Sequence, residues 1–309
     1  MNPARDVLLL AARNGWLGEH LPRFRFVRAT VRRFMPGERI EDALDAAERL
    51  AEDGIPATFT YLGENVRNAA DADAVVAHYL RLFDLIEERG LDAEISVKPT
   101  HLGLDLDPEA TVERLRLLAQ RSAALGRHLF LDMESAPYVE PTLAIYRSLL
   151  EGSEHVGVCI QAYLHRTPQD AADLLAAGGS IRFVKGAYRE PRDVAIHDAG
   201  RVREAFQKLA LGMLRWGGGG RLALGTHDVE LLAEIERAAV AAGFGRDDYE
   251  IQMLYGIRVA DQRRLAEDGF RVRVLISYGT HWYPWFMRRV AEHPGRNIWL
   301  AIRNLLARR

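Results

Sequence analysis

After Gly54 the sequence alternates eight short apolar runs with longer amphipathic segments, and this alternation restricts the possible folds more than any other feature. The runs are ATFTYL (57–62), AEISVK (93–98), HLFLDM (128–133), VGVCIQAYL (156–164), SIRFVKGAY (180–188), RLALGT (221–226), YEIQML (249–254) and FRVRVLIS (270–277). Strands that alternate with helices pair in parallel through right-handed crossovers. Eight strands favour closure into a barrel, and no G-x-G-x-x-G follows the first run to support an open dinucleotide-binding sheet. We therefore predict an α/β fold, a TIM-like (β/α)₈ barrel.

Helices are predicted between the runs, because apolar residues there recur at three- and four-residue spacing. They cover Ala70–Arg89, Pro108–Leu125, Pro141–Leu150, Gln169–Ala177, Val202–Trp216, Val229–Ala242 and Val259–Asp268. The same spacing before the first run predicts helices over Ala4–Gly18, Pro22–Phe34 and Arg39–Asp53. The chain is thus expected to consist of an N-terminal helical arm (residues 1–56) and a catalytic barrel (residues 57–309).

Composition excludes several classes of function. The 41 basic and 43 acidic residues nearly balance, whereas a nucleic-acid-binding chain normally carries a basic excess. The one cysteine, Cys159, excludes an internal disulfide and a thiolate metal cluster. No apolar run approaches the ~18 residues of a membrane span, and the first residues are too charged for a signal peptide. We expect a cytoplasmic protein that does not bind nucleic acid.

Barrel enzymes build their active sites at the C-terminal ends of the strands. The polar residues at or just after these ends therefore define a candidate site. They are Glu64, Lys98, Asp132, Glu134, Gln161, Lys185, Tyr188, Thr226, His227, Gln252, Tyr255 and Tyr278, with Arg288 and Arg289 on the helix that follows the last strand. Two of the three lysines in the chain, Lys98 and Lys185, belong to this set, which indicates a functional use for both.

These residue types are compatible with more than one chemistry. A barrel lysine such as Lys98 either forms a Schiff base, as in aldolases, or holds a carboxylate or phosphate as a point charge. Arg288 and Arg289 point about 100° apart on a helix, so one can bind a carboxylate while the other reaches a different side of it or a counter-carboxylate. No H-x-H or H-E-x-x-H spacing supports a metal site, and none is expected. A small anionic substrate and a phosphate ester both fit.

Eight motifs occur in barrel-compatible order along nearly the whole chain. They are TYLGENV, ISVKPTHLGLDLD, FLDMES, IQAYLHRT, RFVKGAYREP, THD, EIQMLYGIR and WYPWFMRRVAEHP. Together they resemble the proline dehydrogenase family, in its compact monofunctional bacterial form. The resemblance implies FAD-dependent oxidation of L-proline to 1-pyrroline-5-carboxylate, by hydride transfer to flavin N5. It also implies a quinone as electron acceptor, and therefore peripheral contact with the inner face of the membrane.

The resemblance implies roles for individual residues around the substrate. Lys98, Arg288 and Arg289 would hold the carboxylate of the substrate, and Tyr188 would shape its pocket. Glu64 looks like the lid partner of Arg288.

Around the cofactor, Asp132 would be the critical carboxylate beside the flavin, and Arg182 would lie near N5, where a positive charge stabilises the reduced ring. The other matched residues would line FAD: Met133, Gln161, Lys185, Gly186, Ala187, Thr226, His227, Gln252 and Leu254.

One departure from the family pattern concerns the identity of the substrate. The family has Tyr-x-Pro ahead of Tyr-Gly, where this chain reads VLISYG and places Leu275 and Ser277 at those two positions. The family tyrosine packs against the substrate ring, so Leu275 is assigned to the substrate pocket. Two alternatives follow from this departure: a different cyclic imino acid as substrate, or a barrel that binds flavin without turnover. A Schiff-base lyase that uses Lys98 is a separate alternative.

Overall fold

The computed structural model describes residues 31–292 together with His20 and Val27, and at its centre lies a closed parallel barrel. The strands are β1 (Ala57–Tyr61), β2 (Ala93–Val97), β3 (Leu129–Leu131), β4 (Val156–Gln161), β5 (Ser180–Val184), β6 (Leu222–Gly225), β7 (Glu250–Leu254) and β8 (Arg271–Tyr278). Each strand pairs with the next, and β8 pairs with β1 over five residues, from Ala57 opposite Val274 to Tyr61 opposite Tyr278. The predicted TIM-like barrel is confirmed.

Helices cover the outer face of the barrel, except for the last, which lies over its mouth. They are α1 (Ile40–Glu52), α2 (Ala69–Glu88), α3 (Pro108–Ala124), α4 (Val139–Leu150), α5 (Thr167–Ala176), α6 (Ala199–Trp216), α7 (Val229–Ala241), α8 (Val259–Glu267) and α9 (Trp282–Glu292). Side-chain caps fix where four of them begin, because Asn68, Asp107, Asp198 and Asp228 each accept a backbone N–H of the first turn. None of the helices in this part of the chain combines the length and the apolar character needed to cross a bilayer.

The first helix of the described chain takes the outer position that strict alternation gives to a helix after β8. Helix α1 precedes β1 and packs against β8 and β1, burying Leu44 and Leu50 in the main core. It thus occupies the place of an eighth outer helix. Of the three helices predicted for the arm, this one is present; Ala4–Gly18 and most of Pro22–Phe34 lie outside the described residues. The division of the chain after residue 56 stays a prediction.

Helix α9 lies over the mouth of the barrel. Its apolar side chains form a separate core with Val31, Met35 and Leu62, the residue that follows β1. A hydrogen bond of 2.9 Å from the indole N–H of Trp282 to Glu38 fixes the start of the helix. This position brings the basic residues of α9 above the C-terminal ends of the strands.

Strands β4 and β5 are shorter than predicted, ending at Gln161 and Val184. Beyond Gln161 the chain turns, and Leu164 N–H bonds back to the Gln161 carbonyl over 3.2 Å. Beyond Val184 it turns at Gly186, whose φ of 108° lies in the left-handed region that favours glycine. The apolar residues after both strands belong to loops, where they pack beside the mouth instead of extending the sheet.

Candidate active site

The carboxylate of Asp132 is the centre of a hydrogen-bonded group just inside the mouth. Asp132 follows β3, and its backbone N–H donates to the Val97 carbonyl over 2.8 Å. Lys98 Nζ lies 3.2 Å from Oδ2, and Ser96 Oγ donates to Oδ1 over 2.6 Å. Arg182 of β5 places Nη1 3.4 Å from Oδ1, and its Nη2 donates to Ser96 Oγ over 2.7 Å. The structure therefore brings together three residues of the predicted site.

The charges around Asp132 determine its protonation state. Burial acts to raise the pKa of this carboxyl, but Lys98 and Arg182 outweigh that effect and hold the pKa below its ordinary value. The group as a whole contains one carboxylate and two cations. It therefore presents an excess of positive charge to a ligand in the mouth, which suits an anion.

A second group lies where α9 crosses the loop after β1. Arg288 forms a salt bridge with Glu64, with Nη1 3.4 Å from Oε2 and a shorter contact between Nη2 and Oε1. Its guanidinium also lies 5.2 Å from the centre of the Tyr188 ring, within the range of a cation–π interaction. Burial raises the pKa of Tyr188 well above its ordinary value, so the phenol is neutral. Arg289 follows on the same helix and is partly buried.

Glu134 lies between these two groups. Its carboxylate accepts hydrogen bonds from Thr100, over 2.7 Å from Oγ1 and 3.2 Å from the backbone N–H. Burial raises the pKa of Glu134 to about 7, because the bonds from Thr100 and the attraction of Lys98 offset it only in part and Glu64 adds repulsion. Glu134 is thus a buried carboxyl that changes its protonation state near neutral pH.

Two glutamines, one at the end of β4 and one on β7, are oriented in the same way. Gln161 donates through Nε2 to the carbonyls of Met133 and Glu134, each over 3.2 Å. Gln252 donates through Nε2 to the Glu250 carboxylate over 2.7 Å. The Oε1 atoms of both glutamines are buried and have no hydrogen-bond partner among the residues the structure describes. Such buried acceptors are uncommon in native proteins unless a ligand or water meets them.

A third group forms at the ends of β5 and β6. Lys185 Nζ lies 2.8 Å from Oδ2 of Asp228, and Arg203 Nε lies 3.5 Å from the same atom. Asp228 caps α7, and its backbone N–H donates to Thr226 Oγ1 over 3.2 Å. Thr226 is buried and His227 partly exposed. Lys185 and Arg203 thus lie at the N-terminus of a helix, paired with Asp228 and, for Arg203, with Glu234, and a helix N-terminus with cations nearby can bind a phosphate.

Glycine is required at the start of the loop after β5. A Cβ on Gly186 would lie 2.3 Å from the ring of Tyr163, in addition to the strain of its left-handed backbone. The backbone of Gly186 and Ala187, both partly exposed, therefore forms an open edge between the Asp132 group and the Lys185 group.

Leu275 faces the interior of the barrel. It is two residues beyond Arg273, which reaches the interior Glu250, and alternate residues of a strand share a face. Leu254 and Thr58 are its register partners on the neighbouring strands. Leu275 is partly exposed, as expected for an apolar residue at the mouth.

Sequence analysis missed several residues of these groups and misplaced one. Ser96, Thr100 and Asp228 were not singled out, although each lies within two residues of one that was; Asp228 is a recognisable helix cap after Thr-His. Tyr278 was wrongly assigned to the candidate site. Its hydroxyl lies 2.7 Å from Nε2 of His78 on α2, so the side chain points outward from the barrel.

A closed barrel whose mouth gathers an ionised carboxylate, several cations and two buried amide acceptors defines an enzyme of the TIM-barrel class. The family model for proline dehydrogenase matches residues 43–295. Proline dehydrogenase 1 of Bacillus subtilis is 35% identical over 290 residues, covering 94% of this chain and 95% of its own. Proline dehydrogenase of Deinococcus radiodurans is 36% identical over 279 residues, or 89% of each chain. The chain belongs to the proline dehydrogenase family and is an oxidoreductase.

Solved structures agree on the fold. Proline utilization A from Bdellovibrio bacteriovorus, in a form inactivated by N-propargylglycine, superposes with a TM-score of 0.79 at 21% identity. The match covers 94% of this chain but 36% of that protein, so the chain spans about a third of its length. The family assignment leaves the Schiff-base lyase and the non-catalytic barrel without support.

Proposed function

We propose that the protein oxidises L-proline to 1-pyrroline-5-carboxylate with FAD as its cofactor. The observation that carries this proposal is the ionised Asp132 between Lys98 and Arg182, close to the partnerless acceptor of Gln161. A cyclic amino acid needs a cationic site for its carboxylate, and a flat cofactor with polar edges needs buried donors and acceptors.

The residues present fit FAD. The Oε1 atoms of Gln161 and Gln252 and the Nε of Arg182 are buried polar atoms without a partner in the described part of the chain, as expected at the edge of a polar ring. Lys185 would hold the pyrophosphate beside the N-terminus of α7, with Thr226 and His227. Met133, Gly186, Ala187 and Leu254 would line the cofactor. When bound, FAD supplies the hydride acceptor, at N5.

The cations of the mouth would bind the substrate. Lys98, Arg288 and Arg289 would hold the carboxylate from different sides, since charge-assisted bonds of this kind both bind and orient an anion. Tyr188 and Leu275 would enclose the ring. Closure of α9 through Glu64 would exclude water from the site. Because Leu275 replaces the family tyrosine, a different cyclic imino acid is the alternative substrate.

The substrate amine would react in its neutral form, so it must lose its proton before the hydride is transferred. Turnover should therefore rise with pH until the bound amine has lost this proton. Asp132 stays ionised over this range and supplies a fixed charge. The electrons would pass on to a quinone, and the protein would then be a cytoplasmic one in peripheral contact with the inner face of the membrane.

The test is direct. The purified protein should be yellow, release FAD on denaturation and reduce a dye when L-proline is added. A folded protein that carries no flavin, even after FAD is supplied, contradicts the cofactor. A flavin-loaded protein that reduces the dye with another cyclic imino acid but not with proline supports the alternative substrate.

A further inference from the structure

Below the mouth, four charged side chains fill the interior of the barrel, where apolar layers are usual. We call them the ion cluster: Glu94, Arg221, Glu250 and Arg273. Arg221 donates to Glu94 Oε2 over 2.8 Å and approaches Glu250 Oε1 at 3.4 Å. Arg273 Nε lies 3.2 Å from Glu250 Oε2 and 3.6 Å from Glu94 Oε2. Each carboxylate thus contacts both arginines, and both are buried to the same extent, with 4% of the side chain exposed.

Each carboxylate has a further contact of its own. His128 Nδ1 lies 3.9 Å from Oε1 of Glu94. Glu250 also accepts the hydrogen bond of 2.7 Å from Nε2 of Gln252, which lies one interior position nearer the mouth on β7. An ionised carboxylate accepts hydrogen bonds and donates none, so it selects the NH₂ end of the amide. The Oε1 end of Gln252 must then face away from the ion cluster, toward the mouth.

We propose that Glu250 is a positioning residue that fixes Gln252 as a hydrogen-bond acceptor for an N–H group on the edge of the cofactor ring. This inference rests on the proposed function, because the ligand is the FAD assigned there. The Oε1 atom of Gln252 is buried and has no partner in the described residues. Gln161 is oriented by two carbonyls in the same sense. Both glutamines are thus held with the acceptor outward.

The consequence of losing Glu250 follows from the symmetry of an amide. Without an anchoring acceptor the Gln252 amide rotates between two orientations, and in one of them its N–H₂ faces the N–H of the ligand. Glu94 offers a matched control, because it has the same burial and the same two arginine partners but forms no hydrogen bond with Gln252 in the described part of the chain. If Glu250 influenced FAD only through the ion cluster, removing either carboxylate should weaken FAD binding to a similar extent.

The experiment compares Glu250→Met and Glu94→Met as holoenzymes. FAD release is followed by the fluorescence of free flavin on dilution, and unfolding by circular dichroism. We expect Glu250→Met to weaken FAD binding about 3- to 10-fold, the loss of one hydrogen bond, and to alter the visible flavin spectrum. Glu94→Met should lower the melting temperature and leave FAD binding within about twofold of wild type. Glu250→Gln keeps an acceptor and should restore part of the affinity; it also serves if the Met variant does not fold.

A double-mutant cycle shows whether Glu250 acts through Gln252. In a Gln252→Leu background, Glu250→Gln should no longer change FAD release. If the effect of Glu250→Gln persists there, or if both carboxylate variants weaken FAD equally, Glu250 acts through the ion cluster and the inference fails. A wild-type protein that binds no FAD contradicts the proposed function instead, so the two failures are distinguishable.

Discussion

Arg288 on α9 and Glu64 in the loop after β1 form a salt bridge across the mouth of the barrel, although 224 positions separate them in the sequence. Their side chains are 11% and 25% exposed, so the pair is partly shielded from water. It connects the helix above the mouth to the barrel. The resemblance to the family predicted this partnership, and its role as a lid can be tested.

Replacing Glu64 with Ala should impair turnover more than folding. We expect kcat/KM for proline to fall about 10- to 100-fold, because closure positions the carboxylate-binding cations. The free energy of unfolding should change by about 1 kcal/mol. Asp53→Ala is the control, since its carboxylate is about as exposed as that of Glu64 and pairs with the more exposed Arg263 over 2.7 Å on the outside of the barrel. A large loss of melting temperature with normal kinetics would mean that Glu64 is structural.

Replacing Lys98 or Arg289 with Met should weaken substrate binding without loss of FAD. One charge-assisted hydrogen bond contributes about 1.5–3 kcal/mol, or roughly 10- to 150-fold in affinity. Prolinamide, which lacks the anionic carboxylate, provides the matched control on the substrate side. It should bind wild type and variants with similar affinity. If the variants discriminate against the amide as strongly as wild type does, the carboxylate binds elsewhere.

Glu134 should make stability fall as pH rises toward neutrality. Its pKa is raised by burial from 4.5 to about 7, so between these values the folded state binds more protons than the unfolded state. Stability from this group is present below pH 4.5 and declines up to pH 7, by on the order of 3 kcal/mol. Glu134→Gln lacks that decline.

Urea denaturation from pH 5 to pH 8 measures the difference. The free energy of unfolding of the Glu134→Gln variant, relative to that of wild type, should increase steadily up to pH 7 and then stay constant. Glu94→Gln is the control of opposite sign: burial raises the pKa of Glu94, but the bonded Arg221 and the nearby Arg273 lower it below its ordinary value. Glu94→Gln should therefore destabilise the protein by a constant amount in this range. A constant difference for Glu134 as well would show that its carboxyl is already ionised at pH 5.

Leu275 should make the enzyme discriminate against 4-hydroxyproline. An apolar wall desolvates the added hydroxyl without bonding to it, at a cost of about 1–3 kcal/mol. We expect proline to be favoured about 5- to 150-fold in kcat/KM. Leu275→Tyr should improve proline turnover relative to any bulkier substrate, because it fills the space that Leu leaves.

The neighbour Ser277 provides the control for this prediction. Its Oγ is buried and has no partner in the described residues, and it lies one interior position beyond Leu275 on β8. Ser277→Ala should leave the selectivity unchanged. A tenfold preference of wild type for 4-hydroxyproline that disappears in Ser277→Ala would contradict this prediction. It would show that Ser277 binds the hydroxyl and that Leu275 does not determine the selectivity.

The barrel was predictable because a β-branched or apolar run marks each strand, and such a run is enough to identify a buried parallel strand. The proximity of Lys98 and Asp132 was predictable as well, since strand ends converge at one face, whereas Arg182 was added by the resemblance to the family. The ion cluster was not predicted. Its residues alternate with apolar ones inside the strand runs, as in AEISVK and FRVRVLIS, and a period of two alone does not say which face is outward.

The position of α9 could not be predicted from the sequence either, because its apolar residues are compatible with packing either outside or above a barrel. The hydrogen-bond partners inside the mouth depend on the relative placement of strands far apart in the chain. Ser96 illustrates this, since its contact with Arg182 joins positions 86 residues apart. Local pattern identifies the element that carries a residue, and the register of the barrel decides what that residue meets.

The placement of α1 and α9 also determines the order in which the molecule is completed during synthesis. Chains emerge from the ribosome N-terminus first. Helix α1, which covers the seam between β8 and β1, is therefore ready before either strand appears, and the barrel can close as soon as β8 is released. The helix that covers the mouth follows afterwards. A newly made barrel thus remains open at its functional end until its walls are finished, which gives a bulky cofactor a route inward before the last helix docks.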